Sequence, residues 1–138
     1  MIEKNQLEEG MDLLLDFGKL PNVANIGGLL PCAVQDADTG DVILIAYVNA
    51  LALQCAVATR TAVFWSTSRN ALWEKGRTSA ETFELVEVLV NCEQNALVYR
   101  VKPRRGGICH TRNRQDAARN CFYRRLNFAT GQLENVDP

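Results

Sequence analysis

Short apolar runs separated by polar turns dominate the hydrophobic pattern of the chain, and this pattern predicts a structure built mainly from β-strands. Residues 33–35 and 42–47 flank the sequence Asp38-Thr39-Gly40, in which the glycine can supply the positive φ of a tight turn. Residues 83–90 and 96–101 are apolar runs of the same kind, joined by a short polar stretch. We therefore predict two β-hairpins.

A single segment has a clear helical signal. Residues 50–59 are rich in alanine and leucine, contain neither glycine nor proline, and follow Asn49, a residue type that caps helix N-termini. Residues 62–66 and 121–128 each fit a further strand, whereas residues 13–20 fit either a short strand or an amphipathic turn. The prediction is an α+β fold, mainly antiparallel β-sheet with one or two helices.

The length and composition are those of one globular domain. At 138 residues the chain has the size of an ordinary domain, and we expect residues 1–138 to form a single one. Its hydrophobic content of 47% and its lack of Gly/Ser- or Pro-rich tracts exclude a disordered protein. The longest apolar stretch, residues 42–48, is too short to cross a bilayer, so we expect no membrane partner. Residues 1–10 are polar and acidic, unlike a secretory signal or a transit peptide, and we expect a cytoplasmic protein.

Charge is unevenly distributed, although the net charge is only −1. Residues 100–125 contain nine Lys or Arg residues and a single acid, Asp116. Such a segment is typical of a solvated basic face, of a patch that binds RNA or DNA, or of a pocket for a phosphorylated small molecule, since guanidinium groups bind phosphate in a bidentate manner. Composition alone leaves these interpretations open.

The five cysteines divide into two groups. An odd number of cysteines in a protein expected in the reducing cytoplasm argues against a disulfide framework. Cys32 and Cys55 have apolar neighbours and are predicted to belong to the core. Cys92, Cys109 and Cys121 lie at a strand end or in the basic segment, where three thiolates could hold zinc and leave its fourth position for a water of lowered pKa. The spacing alone leaves three unrelated thiols as an equal alternative.

Polar residues beside these cysteines extend the candidate chemistry. His110 is the only histidine and follows Cys109, a position that favours a catalytic role over that of an ordinary surface or core histidine. Asn91, Glu93 and Asn95 alternate along the sequence, so a continuing strand would place their oxygen atoms on one face. One carboxylate and two amides make a poor magnesium site, and a polar turn is an equal interpretation.

Two short segments combine aromatic, hydroxyl and cationic side chains in a manner that suits a nucleotide. Their rings can stack on a base while the hydroxyl and cationic groups contact phosphate oxygens, although Trp65 and Trp73 could equally be core residues. The candidate substrate-binding residues in these segments are Trp65, Ser66, Arg69, Lys75, Thr78 and Ser79.

The same segments belong to a series of sequence blocks. These blocks are Val34-Gln35-Asp36-Ala37-Asp38-Thr39-Gly40, Ala46-Tyr47-Val48-Asn49, Phe64-Trp65-Ser66-Thr67-Ser68-Arg69, Leu72-Trp73-Glu74-Lys75-Gly76, Cys109-His110-Thr111 and Cys121-Phe122-Tyr123-Arg124-Arg125. In these blocks and their order the chain resembles the phosphoribosyl-AMP cyclohydrolase family. The resemblance covers about residues 31–126.

The resemblance implies a hydrolase of histidine biosynthesis that opens the adenine ring of phosphoribosyl-AMP at the N1–C6 bond. It implies an intertwined homodimer in which zinc takes ligands from both chains, with His110 as the proton-transfer group. The two phosphates of the substrate would explain the basic segment, including Arg104 and Arg105. The implied zinc ligands are Cys92, Cys109 and Cys121.

Departures from the family pattern change some of these expectations. Asn91-Cys92-Glu93-Gln94-Asn95 stands where the family has Asp-Cys-Asp-x-Asp, so we expect weak or absent magnesium binding at this place. Gly76-Arg77-Thr78-Ser79-Ala80 replaces Gly-Glu-Thr-Ser-Gly, and residues 112–120 lengthen the stretch between the last two cysteines. Two alternatives therefore stay open: a paralogue acting on another purine nucleotide, and a noncatalytic zinc-containing protein that binds nucleotide or RNA. The histidine beside a candidate metal ligand favours the enzyme, so we expect a small-molecule nucleotide as substrate and no nucleic-acid partner.

Overall fold

The computed structural model describes residues 3–74, 82–104 and 111–138. Its elements in these ranges are α1 (Lys4–Glu9), α2 (Lys19–Ala24), β1 (Leu30–Asp36), β2 (Val42–Val48), α3 (Ala50–Thr59), β3 (Val63–Ser66), β4 (Ala71–Glu74), β5 (Phe83–Val90), β6 (Leu97–Pro103), β7 (Arg124–Leu126) and β8 (Leu133–Asn135). The arrangement confirms the α+β class, with three helices in these ranges where the sequence predicted one or two. None of these helices is long and apolar enough to span a membrane.

Four strands form the main sheet, in the order β2-β1-β6-β5. The two predicted hairpins, β1–β2 and β5–β6, are antiparallel, and they join through a parallel pairing of β1 with β6. Cys32 lies opposite Ala46 on one side and opposite Leu97 on the other, which fixes the register at the centre of the sheet. The sheet is therefore mixed, and β2 and β5 are its two edges.

Local sequence explains the first hairpin and the helix that follows it. The side-chain oxygen of Asp36 accepts hydrogen bonds from the backbone N–H groups of Asp38 and Thr39, at 2.8 and 3.2 Å. Gly40 adopts the positive φ of 82° that the turn requires. The side chain of Asn49 accepts a hydrogen bond of 2.8 Å from the first turn of α3 and caps this helix, as predicted.

A second, smaller hairpin of β3 and β4 packs against the main sheet. Phe64 of β3 is fully buried, with ring centroids 5.4 Å from Trp73 and 5.6 Å from Tyr99. These aromatic contacts, together with the apolar inner face of the sheet, form the core. Cys32 is fully buried in this core, as predicted, and Cys55 packs against it partly buried.

The ends of the chain differ most from the sequence prediction. Residues 13–20 form no strand, and α2 begins at Lys19 instead. Of the strand predicted over residues 121–128, only Arg124–Leu126 is extended and paired, with β8 as its partner. Helices and strands this short depend on tertiary contacts rather than on local preference, which is why their sequence signals are weak.

Candidate active site

A cleft of about 370 Å³ lies between β2, the β3–β4 hairpin and the segment that carries Cys121. Trp65, Ser66 and Arg69, which the sequence singles out as candidate substrate-binding residues, all line this cleft. Trp73 lines it too, although its ring also contacts the core residue Phe64. The cleft thus brings a predicted nucleotide-binding segment beside a predicted zinc ligand.

The turn between β3 and β4 holds the polar groups of the cleft in place. Ser66 Oγ accepts a hydrogen bond from the backbone N–H of Arg69 at 3.2 Å and lies 3.3 Å from Ser68 Oγ. The indole N–H of Trp65 donates to Asn70 Oδ1 at 3.3 Å. Asn70 has a φ of 51°, a left-handed conformation that asparagine tolerates better than most residues. The turn is therefore ordered by its own side chains.

Lys19, at the start of α2, is a member of the cleft that the sequence did not reveal. Its ammonium group donates a hydrogen bond to Thr67 Oγ1 at 3.2 Å, and the side chain lines the cleft together with Arg69. The cleft therefore carries two cations beside a row of hydroxyl groups, which suits an anionic ligand. No sequence signal could have identified Lys19, because only the tertiary fold brings α2 to this hairpin.

A second cleft of about 370 Å³ lies beside Phe122. Its walls carry the carboxylates of Asp36, Asp41 and Asp137. Three negative charges would repel a phosphorylated ligand. The cleft at Trp65 is for this reason the better candidate for the active site.

The two predicted zinc ligands that the structure describes, Cys92 and Cys121, lie at opposite edges of the main sheet. Both side chains are exposed. Cys92 follows β5, whereas the backbone N–H of Cys121 donates to the carbonyl oxygen of Ile43 in β2 at 3.0 Å. Roughly three strand spacings, or about 14 Å across the sheet, separate the two cysteines. Two thiolates bound to one zinc ion lie within about 4 Å of each other. One chain therefore does not bring Cys92 and Cys121 to the same ion.

The exposed side chains of these two cysteines are accessible to a metal ion, whereas Cys32 is fully buried in the core. Burial raises the pKa of Cys32 to about 12, and a backbone hydrogen bond from Tyr99 offsets this only in part. Cys32 therefore stays a neutral thiol at physiological pH, whereas a zinc ligand must be a thiolate. Within the described residues, no three His, Cys, Asp or Glu side chains cluster so as to hold a metal ion.

Several predicted site residues lie outside the described residues or away from the cleft. Arg104 does not line the cleft, and its guanidinium donates to Thr82 Oγ1 at 3.0 Å. Its role in substrate binding stays a prediction. The predicted residues outside the described ranges are Lys75, Thr78, Ser79, Arg105, Cys109 and His110.

The Asn91 to Asn95 segment forms a closed polar turn. Asn91 Oδ1 accepts hydrogen bonds from the backbone N–H groups of Asn95 and Ala96, both at 2.9 Å. The side-chain amide of Asn91 donates to Asn95 Oδ1 at 2.7 Å. Because β5 ends at Val90, the strand alternation that would align Asn91, Glu93 and Asn95 does not continue. The geometry is that of the polar-turn interpretation, and the amide oxygens are engaged within the turn, a poor fit to magnesium.

Three arginines of the basic segment form ion pairs with glutamates of the same chain. Arg119 pairs with Glu9 at 2.6 Å, Arg100 with Glu87 at 2.7 Å and Arg125 with Glu134 at 3.2 Å. Hydrogen bonds from Asn127 and Arg125 lower the pKa of Glu134. These arginines consequently act in the fold, and the cations at the cleft come from elsewhere in the chain.

Comparison of the sequence with known proteins shows the family of the chain. Residues 44–123 match the phosphoribosyl-AMP cyclohydrolase family. The chain belongs to this family. Membership confirms the resemblance found in the sequence and the prediction of a hydrolase that acts on a carbon–nitrogen bond.

Individual members of the family are similar over most of the chain. A phosphoribosyl-AMP cyclohydrolase of Hyphomonas neptunium is 46% identical over 99 residues, which cover 72% of this chain and 71% of that protein. One of Caulobacter vibrioides is 41% identical over 124 residues, 89% of this chain and 81% of that protein. The histidine biosynthesis bifunctional protein HisIE of Thermus thermophilus is 50% identical over 99 residues, 72% of this chain but 44% of that longer protein.

Proposed function

We propose that the protein hydrolyses the N1–C6 bond of the adenine ring in phosphoribosyl-AMP and so produces the formimino carboxamide ribotide of histidine biosynthesis. The observation that carries this proposal is the cleft in which Trp65, Ser66 and Arg69 lie beside Cys121, in a chain of the phosphoribosyl-AMP cyclohydrolase family. In the reaction, water adds to C6, the N1–C6 bond breaks and N1 takes up a proton. The relatives from Hyphomonas neptunium and Caulobacter vibrioides are named for this reaction, as phosphoribosyl-AMP cyclohydrolases.

The cleft supports a binding mode for the nucleotide. The partly buried ring of Trp65 offers a surface on which the purine can stack. Lys19 and Arg69 carry the positive charge, and the hydroxyl groups of the β3–β4 turn can donate to phosphate oxygens. We propose that this end of the cleft holds a phosphate group of the substrate and that the purine extends toward Cys121.

Zinc held by Cys92, Cys109 and Cys121 would supply a water molecule whose pKa is lowered toward neutrality. The protein's own contribution to the proton transfers is assigned to His110. Its imidazole would take a proton from the attacking water or give one to N1 as the N1–C6 bond breaks. No role in the reaction is assigned to magnesium, since the turn at Asn91 satisfies its own oxygen atoms.

The position of the cysteines supports a site made by two chains. Since Cys92 and Cys121 lie at opposite edges of one sheet, a two-fold symmetric dimer could bring Cys92 of one chain to Cys121 of the other and form two equal sites. Apolar side chains that a partner could cover flank both cysteines. Leu89 and Val90 near Cys92 are 47% and 56% exposed, and Ile45 and Phe122 near Cys121 are 56% and 54% exposed.

A spectrophotometric assay of the purified, zinc-loaded protein with phosphoribosyl-AMP tests the proposal. Ring opening should stop after chelation and return when zinc, but not magnesium, is added back. His110→Ala should abolish turnover while zinc content and folding stay unchanged. Cys109→Ser should lose zinc, whereas Cys55→Ser, at a cysteine outside the ligand set, should keep both zinc and turnover. Folded, zinc-containing protein without turnover would contradict the proposal and favour another purine nucleotide or a noncatalytic binding protein.

A further inference from the structure

Cys121 lies in irregular backbone, yet both sides of it are bonded to the N-terminal helix α1. The side chains that bond this segment to the end of α1 belong to Arg119, Tyr123 and Arg124. Each of these three side chains donates to a different residue. The acceptors are the last two residues of α1 and the residue directly after it. The family match begins at residue 44, so α1 lies outside it.

Arg119 makes the most buried of these contacts. Its side chain is only 4% exposed, and one guanidinium nitrogen lies 2.6 Å from Glu9 Oε1. Its guanidinium also stacks over the ring of Tyr123, 4.5 Å from the centroid. Burial alone would lower the pKa of Arg119, but the hydrogen bond and charge of Glu9, with a contribution from Tyr123, outweigh it and raise that pKa. The contact is thus an ion pair between a buried arginine and a partly exposed glutamate.

Two further hydrogen bonds reach the backbone at the end of α1. The hydroxyl of Tyr123 donates to the carbonyl oxygen of Glu8 at 2.6 Å, and the guanidinium of Arg124 donates to that of Gly10 at 2.8 Å. Carbonyl groups at a helix C-terminus lack hydrogen-bond partners within the helix. The two donors therefore supply partners for the end of α1, and α1 in turn restrains the segment around Cys121. A helix of six residues is not stable alone, and its formation depends on this docking.

We propose that α1 positions Cys121 for zinc, with Glu9 and Arg119 as its positioning residues. This inference rests on the proposed function, in which Cys121 is a zinc ligand. By fixing the backbone on both sides of Cys121, the helix sets the direction in which the Cys121 side chain leaves the backbone before the metal binds. Neither Glu9 nor Arg119 contacts substrate or metal in this account. Their effect on the metal is indirect and passes through the position of Cys121, comparable to the way in which outer-shell residues orient metal ligands.

The zinc affinity of folded protein, measured by competition with a chromophoric chelator, tests this proposal. Glu9→Gln should weaken zinc binding by about tenfold or more, the range seen when outer-shell partners of metal ligands are removed. The charge swap of Glu9→Arg with Arg119→Glu should recover part of this loss. The matched control is Glu134→Gln, which breaks the Arg125–Glu134 pair on the neighbouring hairpin and should leave zinc affinity unchanged.

A milder variant covers the case in which Glu9→Gln fails to fold. Tyr123→Phe removes the hydrogen bond to Glu8 but keeps the ring under Arg119, and it should weaken zinc binding severalfold. If the folded variants bind zinc as tightly as the wild type and lose only thermal stability, the contact is merely structural and the inference is wrong. If the wild type binds no zinc, or if Cys121→Ser keeps its zinc, the assignment of Cys121 as a ligand fails instead.

Discussion

The hydroxyl of Tyr99 donates a hydrogen bond to the carbonyl oxygen of Val63 at 3.3 Å, and both residues are buried. Tyr99 belongs to β6 near the centre of the main sheet, whereas Val63 begins the strand that leads to Trp65 and Ser66. This contact therefore joins the wall of the cleft to the rigid part of the fold. It is one of the contacts that hold the candidate substrate-binding residues in position.

Replacement of Tyr99 by Phe should destabilise the protein and keep its fold. The substitution leaves the buried carbonyl of Val63 without this donor, at a cost of about 1–2 kcal/mol in the free energy of unfolding. Urea titration measures the change. Tyr47→Phe is the control, since the Tyr47 hydroxyl makes no hydrogen bond among the described residues, and it should change stability by less than about 0.5 kcal/mol. Equal effects of the two substitutions would contradict the role of the Tyr99 hydroxyl.

Stability should decline in alkaline solution because of Cys32. Burial raises the pKa of Cys32 from its ordinary value of 9.0 to about 12. Between these values the unfolded chain has lost the thiol proton and the folded chain has kept it, so stability falls as pH rises, by up to about 1.4 kcal/mol per pH unit. Burial also raises the pKa of Tyr99 and adds to the decline at higher pH.

Urea titrations at a series of pH values above 9 measure this decline, with Cys32→Ala as the comparison. The variant should be less stable at neutral pH, because it leaves a cavity in the core. Its stability should nevertheless fall less steeply with pH than that of the wild type. Parallel pH profiles for the two proteins would show that Cys32 does not titrate as expected.

Local signals in the sequence predict the hairpins and α3 correctly because these elements are defined by neighbouring residues. Asn49 caps the helix and Gly40 turns the first hairpin within a few positions of the residues that they serve. The parallel pairing of β1 with β6 joins residues that are distant in sequence, and no local pattern specifies it. Likewise, α1 has no side-chain cap at Glu3 and forms through its contacts with distant residues.

The candidate site, like the fold, has parts that the local sequence predicts and parts that depend on the tertiary structure. The sequence identifies Trp65, Ser66 and Arg69 because they lie within five positions of one another, and the β3–β4 hairpin brings all three to the cleft. Lys19 enters the cleft only through the tertiary fold. The spacing of Cys92 and Cys121 does not reveal that they lie at opposite edges of the sheet, since that follows from strand order alone.

The turn at Asn91 should make the stability of the protein independent of magnesium. Replacing Asn91 and Asn95 together by Asp would break their amide hydrogen bond of 2.7 Å and place two carboxylates side by side. A divalent cation bound between the two carboxylates should reduce their repulsion and stabilise the folded protein. Thermal unfolding with and without magnesium should therefore show a rise in Tm for the double variant and none for the wild type. A magnesium-dependent Tm in the wild type would contradict the closed-turn account.

Loss of the ammonium group of Lys19 should weaken substrate binding more than turnover. Lys19→Met removes one of the two cations of the cleft, and KM for phosphoribosyl-AMP should rise by about tenfold, equivalent to one charged hydrogen bond of about 1.4 kcal/mol. The value of kcat should change little, because the proposed binding mode places Lys19 at a phosphate group of the substrate and not at the reacting bond. Lys102→Met, at an exposed lysine of β6 outside the cleft, is the control and should leave both constants unchanged.

The measurement that tests the central claim most directly is the activity of a mixed dimer. Cys92→Ser and Cys121→Ser chains are co-expressed with different affinity tags, and the heterodimer is purified through both tags. Each variant alone should be inactive and zinc-free. If the site takes Cys92 from one chain and Cys121 from the other, one of the two sites in the heterodimer is intact, and its zinc content and turnover should be about half of the wild-type values. A heterodimer as inactive as its parents would place both cysteines of a site in one chain and contradict the account.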